Sequence, residues 1–585
     1  MSIKFHILFL SSLASALVSA ASPDLLIVGG GLSGLAAAAE GARLGLNVTV
    51  VDRHSLYGGT AVNAFGVAIV GSPFQVEHGI KDSPELAFKD FVNWGVDPDP
   101  GWARYYTEHS KVELFDWFNS RGVQFDRSAL VRGNTVARFH FPHGGVISMV
   151  QALYREIRQI GGVEFVMNTN VTGLVLEDGR VTGVKVQDYR SGKSRTILAK
   201  NVLLSTGGFE NNPELVRNFW PSLLGQPNRV LHGSGAQSTG SGLELARSVG
   251  GAVAHLDRQW IYIPGAPLPY DPTGIRGVFI DVKGSIWVNA QGRRFTNEAG
   301  DKRARLEAVT HQNPAKAWMI FDTDLRTAIN ITHPTYNTEP SKSNLLNQPG
   351  ILFEAATLEE LGVKAGLPPA VLVSSVDRYN QGLQSGRDDF GRLASSGPSK
   401  HYPTKSIKTA PFFALPIYPL ARKSMGGIQV DWTCQVLSES GEIVPGLYAS
   451  GEATGFGGVN GRQSLEGTFV GAAILMGRVA ARSISEQIKP EVRPKITETS
   501  PEILVSRNAD SSLDSSCLRC HNLPSLIAES RPGYWHFQQS HRVVQERKLS
   551  CSECHTELAS FPPEEHKIDK LVEVGSCNTC HSHAQ

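Results

Sequence analysis

Apolar and polar positions are most sharply segregated near the start of the chain, in DLLIVGGGLSGLAAAAEGARLGLNVTVVDR, residues 24–53. The short apolar run LLIV predicts a strand, the glycines after it a turn, the alanine-rich stretch a helix, and NVTVV a second strand. The texture returns in NVLLSTGGFENN (201–212), an apolar strand that breaks on Thr206, Gly207 and Gly208. It returns again in GLYASGEATGFGGVNGRQSLEGTFVGAAILMGRVAARS (446–483), strand, glycine loop and helix. Between them, TGSGLELARSVGGAVAHLDRQW (239–260) predicts a glycine-started helix returning to a strand. From about 260 to 405 the composition shifts toward Pro, Asn and Thr, with the β-rich opening GVFIDVKGSIWVNAQGRRFTNEA. Strands alternating with helices give an α/β fold class.

The two ends differ in kind. MSIKFHILFLSSLASALVSAAS has a basic residue, Lys4, then an apolar stretch and the small-residue site VSA, so residues 1–21 are expected to be a signal peptide. That run is short for a bilayer crossing, an uncleaved anchor is the minor alternative, and no later stretch approaches a span. KPEVRPKITETSPEILVSRNADSS (489–512) is polar, proline-interrupted and without helical period, which reads as a linker. At 585 residues several domains are expected, and 41% hydrophobic content is ordinary for a folded core. A formal net charge of +1 gives no reason to expect nucleic acid or a membrane surface as partner.

Chemistry enters first at the early glycines. Gly29, Gly31 and Gly34 make Gly-x-Gly-x-x-Gly directly after an apolar run, and Asp52 ends the second strand. Such a turn lets backbone approach a pyrophosphate, the helix N-terminus holds its charge, and the acid accepts from a ribose hydroxyl. The later glycine segments place parts of the same site some 400 residues away. A nicotinamide domain is usually contiguous; a site built from both chain ends suits the longer FAD.

A second chemistry lies at the carboxyl end. Six of the seven cysteines fall in three Cys-x-x-Cys-His frames: Cys517, Cys520, His521; Cys551, Cys554, His555; and Cys577, Cys580, His581. This is the c-type haem attachment pattern, two thiols for the vinyl groups and a histidine for iron. Zinc would take cysteines four at a time and strand one pair; disulfides explain neither the histidine nor the fixed gap. His536, His541 and His566 are candidate sixth ligands, with His583 open between ligand and polar terminus. Bis-histidine ligation implies low-potential electron carriage. So small a tail with three haems must be packed around them, with little regular structure.

On these segments the chain resembles flavoproteins of the fumarate reductase and succinate dehydrogenase family, including its ketosteroid-dehydrogenase-like branch, over roughly 24–485. The tail resembles the small multihaem cytochromes c. The resemblance implies a Rossmann-like FAD-binding domain (22–260 and 406–488) interrupted by an α+β capping domain (261–405), followed by a triheme domain (513–585). It implies non-covalent FAD, since GGTAVNAFG lacks the histidine that some relatives couple to flavin. Gly29, Gly31, Gly34, Asp52, Gly58, Gly59 and Thr60 would line the adenine, ribose and pyrophosphate side, with Val171, Thr206 and Gly207 beside the adenine. Glu452 would meet the ribityl chain, and Ser464 and Leu465 the pyrimidine edge.

For proton transfer the resemblance points to Arg326 as acid, fed by Arg303 and Glu298. Arginine is an intrinsically poor acid, and Arg326 also has Asp322 and Asp324 as close sequence neighbours to pair with. Lys423 in ARKSMGG stands where relatives carry histidine, and Ser464 where they carry a carboxylate-binding arginine, with Arg462 two residues earlier. One anion clamp, around Arg422 and Lys423, is therefore expected, which suits a monocarboxylate enoate or a conjugated ketone as well as fumarate. Tyr262 and Tyr336 are cap tyrosines that could serve as a ketosteroid-type acid or base, with core or surface places the simpler reading. The implied function is an exported, periplasmic flavocytochrome c reducing an activated C=C bond, with electrons from an external cytochrome or quinol-linked donor. The alternatives are a dehydrogenase running the reverse reaction and an electron carrier with a vestigial flavin site.

Overall fold

The computed structural model describes residues 22–488 apart from 190, 270, 272, 334–335, 337 and 394–402. The expected signal peptide, linker, haem frames and candidate haem histidines lie outside the described residues.

Two sheets organise the molecule. The first runs, in spatial order, Gln435–Leu437, Ile443–Ala449, Val202–Leu204, Leu25–Val28, Val48–Val51 and Val163–Val166. Every pairing is parallel except the Gln435–Leu437 edge. Its three central strands, Leu25–Val28, Val48–Val51 and Val202–Leu204, are buried on both faces, which is why they read as apolar runs rather than alternating ones. The helices Leu32–Arg43 and Thr468–Ile488 pack against each other over this sheet. Small side chains make the contact possible: Ala36 to Ala39 are all fully buried.

The second sheet has eight strands, ordered Ile286–Val288, Ala317–Asp322, Phe412–Ser424, Gln259–Pro267, Gly277–Val282 and Ile329–Thr332, with Leu231–His232 and Phe353–Ala355 added to the long strand. The expected cap limits of 261 and 405 fall inside and short of this sheet. Its longest strand, Phe412–Ser424, carries chain from the cap back to the first sheet. That single strand fixes where the chemistry meets: its last three residues, Arg422, Lys423 and Ser424, arrive at the junction of the two sheets. Three serines close the carboxyl ends of the first sheet, Ser450 Oγ lying 2.8 Å from both Ser33 Oγ and Ser205 Oγ. Among the described residues no helix is long and apolar enough to cross a membrane.

Candidate active site

The groove starts at Gly29. Its φ of +108° is a backbone state that L side chains rarely adopt, and an added Cβ would run into the Ser205 carbonyl. A Cβ on Gly34 would strike the Gly29 carbonyl, so helix and strand approach closely only because both are glycine. Gly31, by contrast, faces open space and precedes the helix with no side-chain cap on its free N–H groups. Asp52 accepts from the Gly30 N–H at 2.6 Å and from the His54 N–H at 2.7 Å, which pins the carboxylate at the groove's edge. Gly58 and Gly59 hold φ values of +102° and +56°, and Thr60 faces Gly235. Thr206 Oγ1 is buried with no hydrogen-bond partner among the described residues, Gly207 has φ +78°, and Val171 is buried. An uncapped helix end, a cradle no Cβ could fill and an orphaned buried hydroxyl fit the pyrophosphate and ribose of FAD.

At the other end of the groove Glu452 takes two donors from the long cap strand, Lys423 Nζ at 3.1 Å and the Ser424 N–H at 3.3 Å. Ser464 turns its hydroxyl back onto the Leu465 carbonyl (2.9 Å), and the Trp94 indole N–H donates to the Ser464 carbonyl at 3.0 Å. Leu465 is fully buried. Directly after it, Glu466 accepts from Tyr262 (3.1 Å and 3.3 Å) and from Lys302 Nζ (2.9 Å). The Lys302 ammonium lies over the Tyr262 ring, 4.9 Å from its centroid, and the Arg422 guanidinium lies 5.5 Å from it. Among the described residues, no carboxylate comes within ion-pair distance of half-buried Arg422. Burial alone would raise the Glu466 carboxyl; Lys302, Tyr262 and Arg422 more than offset it and hold the group below the usual carboxylate range. Burial first, then Glu466, pushes the Tyr262 phenol up, so it stays a neutral hydrogen-bond donor.

The expected relay of Glu298, Arg303 and Arg326 is not assembled. Glu298 is buried inside the cap, where Arg294 grips it at 2.7 Å and 2.8 Å, Arg392 at 3.3 Å and the Trp287 N–H at 2.9 Å. Arg303 is exposed on the helix Lys302–Thr310, and its neighbour Lys302 is the residue that turns inward. Arg326 lies over the Phe413 ring, 5.7 Å from the centroid, at the start of the long strand. Lys423 is ten residues further along it, on the order of 30 Å at the rise of an extended strand. Asp322 caps backbone N–H groups instead of pairing Arg326. Arg462 forms a half-exposed pair with Asp257 at 2.8 Å, and Tyr336 is buried beside His333. Lys302 and Glu466 were missed; the only local signal was an acid inside the glycine loop SLEGT.

Fold and site together define a flavin-dependent oxidoreductase in which the long strand of the second sheet brings Lys423 to Glu452. A family model described as FAD binding domain matches residues 24–470, and the chain belongs to that family. A KsdD-like steroid dehydrogenase of Mycobacterium tuberculosis is 30% identical over 80% of this chain and 96% of its own length. A fumarate reductase (cytochrome) of Shewanella frigidimarina is 29% identical over 80% of this chain and 77% of its own. The open conformation of a flavocytochrome c3 fumarate reductase superposes with a TM-score of 0.67 at 26% identity, covering 79% of this chain and 78% of that one. The chain is thus an FAD-dependent oxidoreductase of the fumarate reductase and ketosteroid dehydrogenase kind, acting on CH–CH groups.

Proposed function

We propose that this protein reduces an activated alkene bearing one carboxylate or one conjugated carbonyl, and that Lys302 is its proton donor. One observation carries the reading: Lys302 and Tyr262 both donate to Glu466, the residue directly after Ser464 and Leu465, and Arg422 lies over the same Tyr262 ring. Bound FAD, held non-covalently by the glycine groove, supplies the hydride. Arg422 has spare N–H donors for a substrate carboxylate or carbonyl and stabilises the charge that develops on it when the β-carbon is reduced. Lys302 then gives its proton to the α-carbon. An ammonium is a far better acid than a guanidinium, and its partial exposure (26%) allows return of the proton from water. Glu466 and Tyr262 fix the ammonium's position. The second carboxylate of a fumarate would find Ser464 where relatives have arginine, and Arg462 is already paired with Asp257, so a single anionic group fits best.

The electron supply proposed here is the tail: three haem c groups at Cys517/Cys520/His521, Cys551/Cys554/His555 and Cys577/Cys580/His581, passing electrons from an external donor in the periplasm. Their chemistry is one-electron transfer. The reverse reaction is the second reading, favoured by the 30% identity to a steroid-dehydrogenase-like relative; the same lysine would then take up the proton.

The test compares K302M, K302R and Y262F. K302M is expected to lose roughly 10²–10⁴-fold in turnover with FAD retained, K302R to recover part of it, and Y262F to lose less than K302M. A K302M enzyme turning over at the wild-type rate would end the assignment.

A further inference from the structure

Glu210 is a carboxyl with nowhere to spend its charge. It follows Gly207 and Gly208, has no measurable exposure, and among the described residues neither carboxyl oxygen meets a donor in hydrogen-bonding geometry, although the Ser424 hydroxyl shares the same face of Gly208. It is also close to a second carboxyl. A Cβ placed on Gly208 would lie 2.7 Å from Glu210 Oε2 and 2.8 Å from Glu452 Oε1, so the two side chains crowd the same face of that glycine. One ammonium serves both, Lys423, and it is committed to Glu452 Oε2 at 3.1 Å. The other charged or titratable neighbours do not help. His232 makes its Nδ1 contact to the Glu210 backbone carbonyl, and Arg276 donates to the Asn211 side chain and the Ser234 carbonyl.

Two buried carboxyls beside a single cation cannot both ionise without a large penalty. Burial, then repulsion from Glu452, pushes the Glu210 carboxyl well above the usual carboxylate range, against the pull of Lys423. Glu452 has the salt bridge with Lys423, and Glu210 is the carboxyl of the pair on which protonation is favoured.

We propose that Glu210 is an FAD-positioning residue, a protonated carboxylic acid that keeps the face of Gly208 in the cofactor groove neutral, so that its ionisation weakens FAD binding. A second anion appearing beside Glu452 would repel the electron-rich cofactor and draw Lys423 away from its partner. The inference concerns cofactor retention alone and stands whichever way the reaction runs.

The test measures flavin released into ultrafiltrates of the full-length holoprotein from neutral to alkaline pH. Wild type is expected to lose affinity as pH rises, approaching a tenfold loss per pH unit beyond the ionisation, the slope of one linked proton. E210Q, a neutral isostere, is expected to stay within about fivefold of wild type at pH 7 and to lose the alkaline fall. Identical alkaline profiles for the two proteins, or a loss beyond about fivefold in E210Q at pH 7, would overturn the proposal. Should E210Q fail to fold, E210M, a neutral side chain of similar length, is measured in its place against the same two outcomes.

Discussion

Arg422 shows how much of this site depends on what a side chain is not doing. Nearby cations are committed, Lys302 to Glu466 and Lys423 to Glu452. Arg422 rests on an aromatic ring, and among the described residues its guanidinium donors are unspent, which is the arrangement a substrate anion needs. R422A is expected to lower kcat/KM for a carboxylated alkene by roughly 10–10³-fold, largely through KM, and R422K to recover little because an ammonium cannot reproduce the guanidinium fork. Steady-state kinetics at saturating donor check this. The charge pattern was half legible in the sequence. ARKSMGG marked Arg422 and Lys423 because two cations precede a glycine pair at a strand end. Lys302 and Glu466 left no such mark, and Tyr262 stood out only as a cap tyrosine: the three come from a strand, a helix start and a loop, and only the tertiary fold brings them together. Arg326 was misleading for the same reason, since a residue's number says nothing about which end of an antiparallel strand it reaches.

At the scale of elements, the legible parts are the ones whose chemistry is local. The strand–turn–helix at 24–53 declared itself because its glycines, alanines and Asp52 act within a few residues of one another. G34A is expected to destabilise the protein by roughly 1–3 kcal/mol through overpacking against the Gly29 carbonyl, and to reduce FAD content; denaturant melts and the flavin-to-protein ratio report both. The strand Phe139–Pro142 carries a device that no pattern revealed. His140 is buried, with Nδ1 2.6 Å from the Arg138 carbonyl and Nε2 2.7 Å from Ser72 Oγ. The neutral ring satisfies both contacts, donating from Nδ1 to the carbonyl and accepting at Nε2 from the Ser72 hydroxyl. Burial lowers its pKa to about 4, against the hydrogen bond to Arg138 and the charge of Asp82. The neutral ring is favoured on folding, so this stabilisation is complete above the unfolded value of about 6.5 and is lost as pH falls toward 4. Its size is at most about 3 kcal/mol. Urea melts should show stability declining through that window, and H140Q should flatten this part of the decline.

For the whole molecule, the cap sheet is the element that sequence alone placed least well. Composition drew its limits at 261 and 405, yet its long strand runs to Ser424 and its edge begins with Leu231–His232. Composition follows solvent exposure, whereas a buried strand such as Phe412–Ser424 looks like any other core segment. The proposed division of labour between flavin domain and haem tail gives a separable expectation. Removal of 513–585 should abolish turnover with a haem-level electron donor and preserve it with a small reduced dye that reaches the flavin directly; equal loss with both donors would speak against the tail as the electron route.

The most direct measurement is anaerobic. The purified protein is reduced, mixed with carboxylated alkenes, conjugated ketones and their saturated counterparts, and the flavin and haem absorption bands are followed. The account predicts rapid reoxidation by at least one carboxylated alkene or conjugated ketone in wild type and slow reoxidation in K302M. No reoxidation by any alkene, together with reduction of the oxidised protein by a saturated ketone, would contradict it.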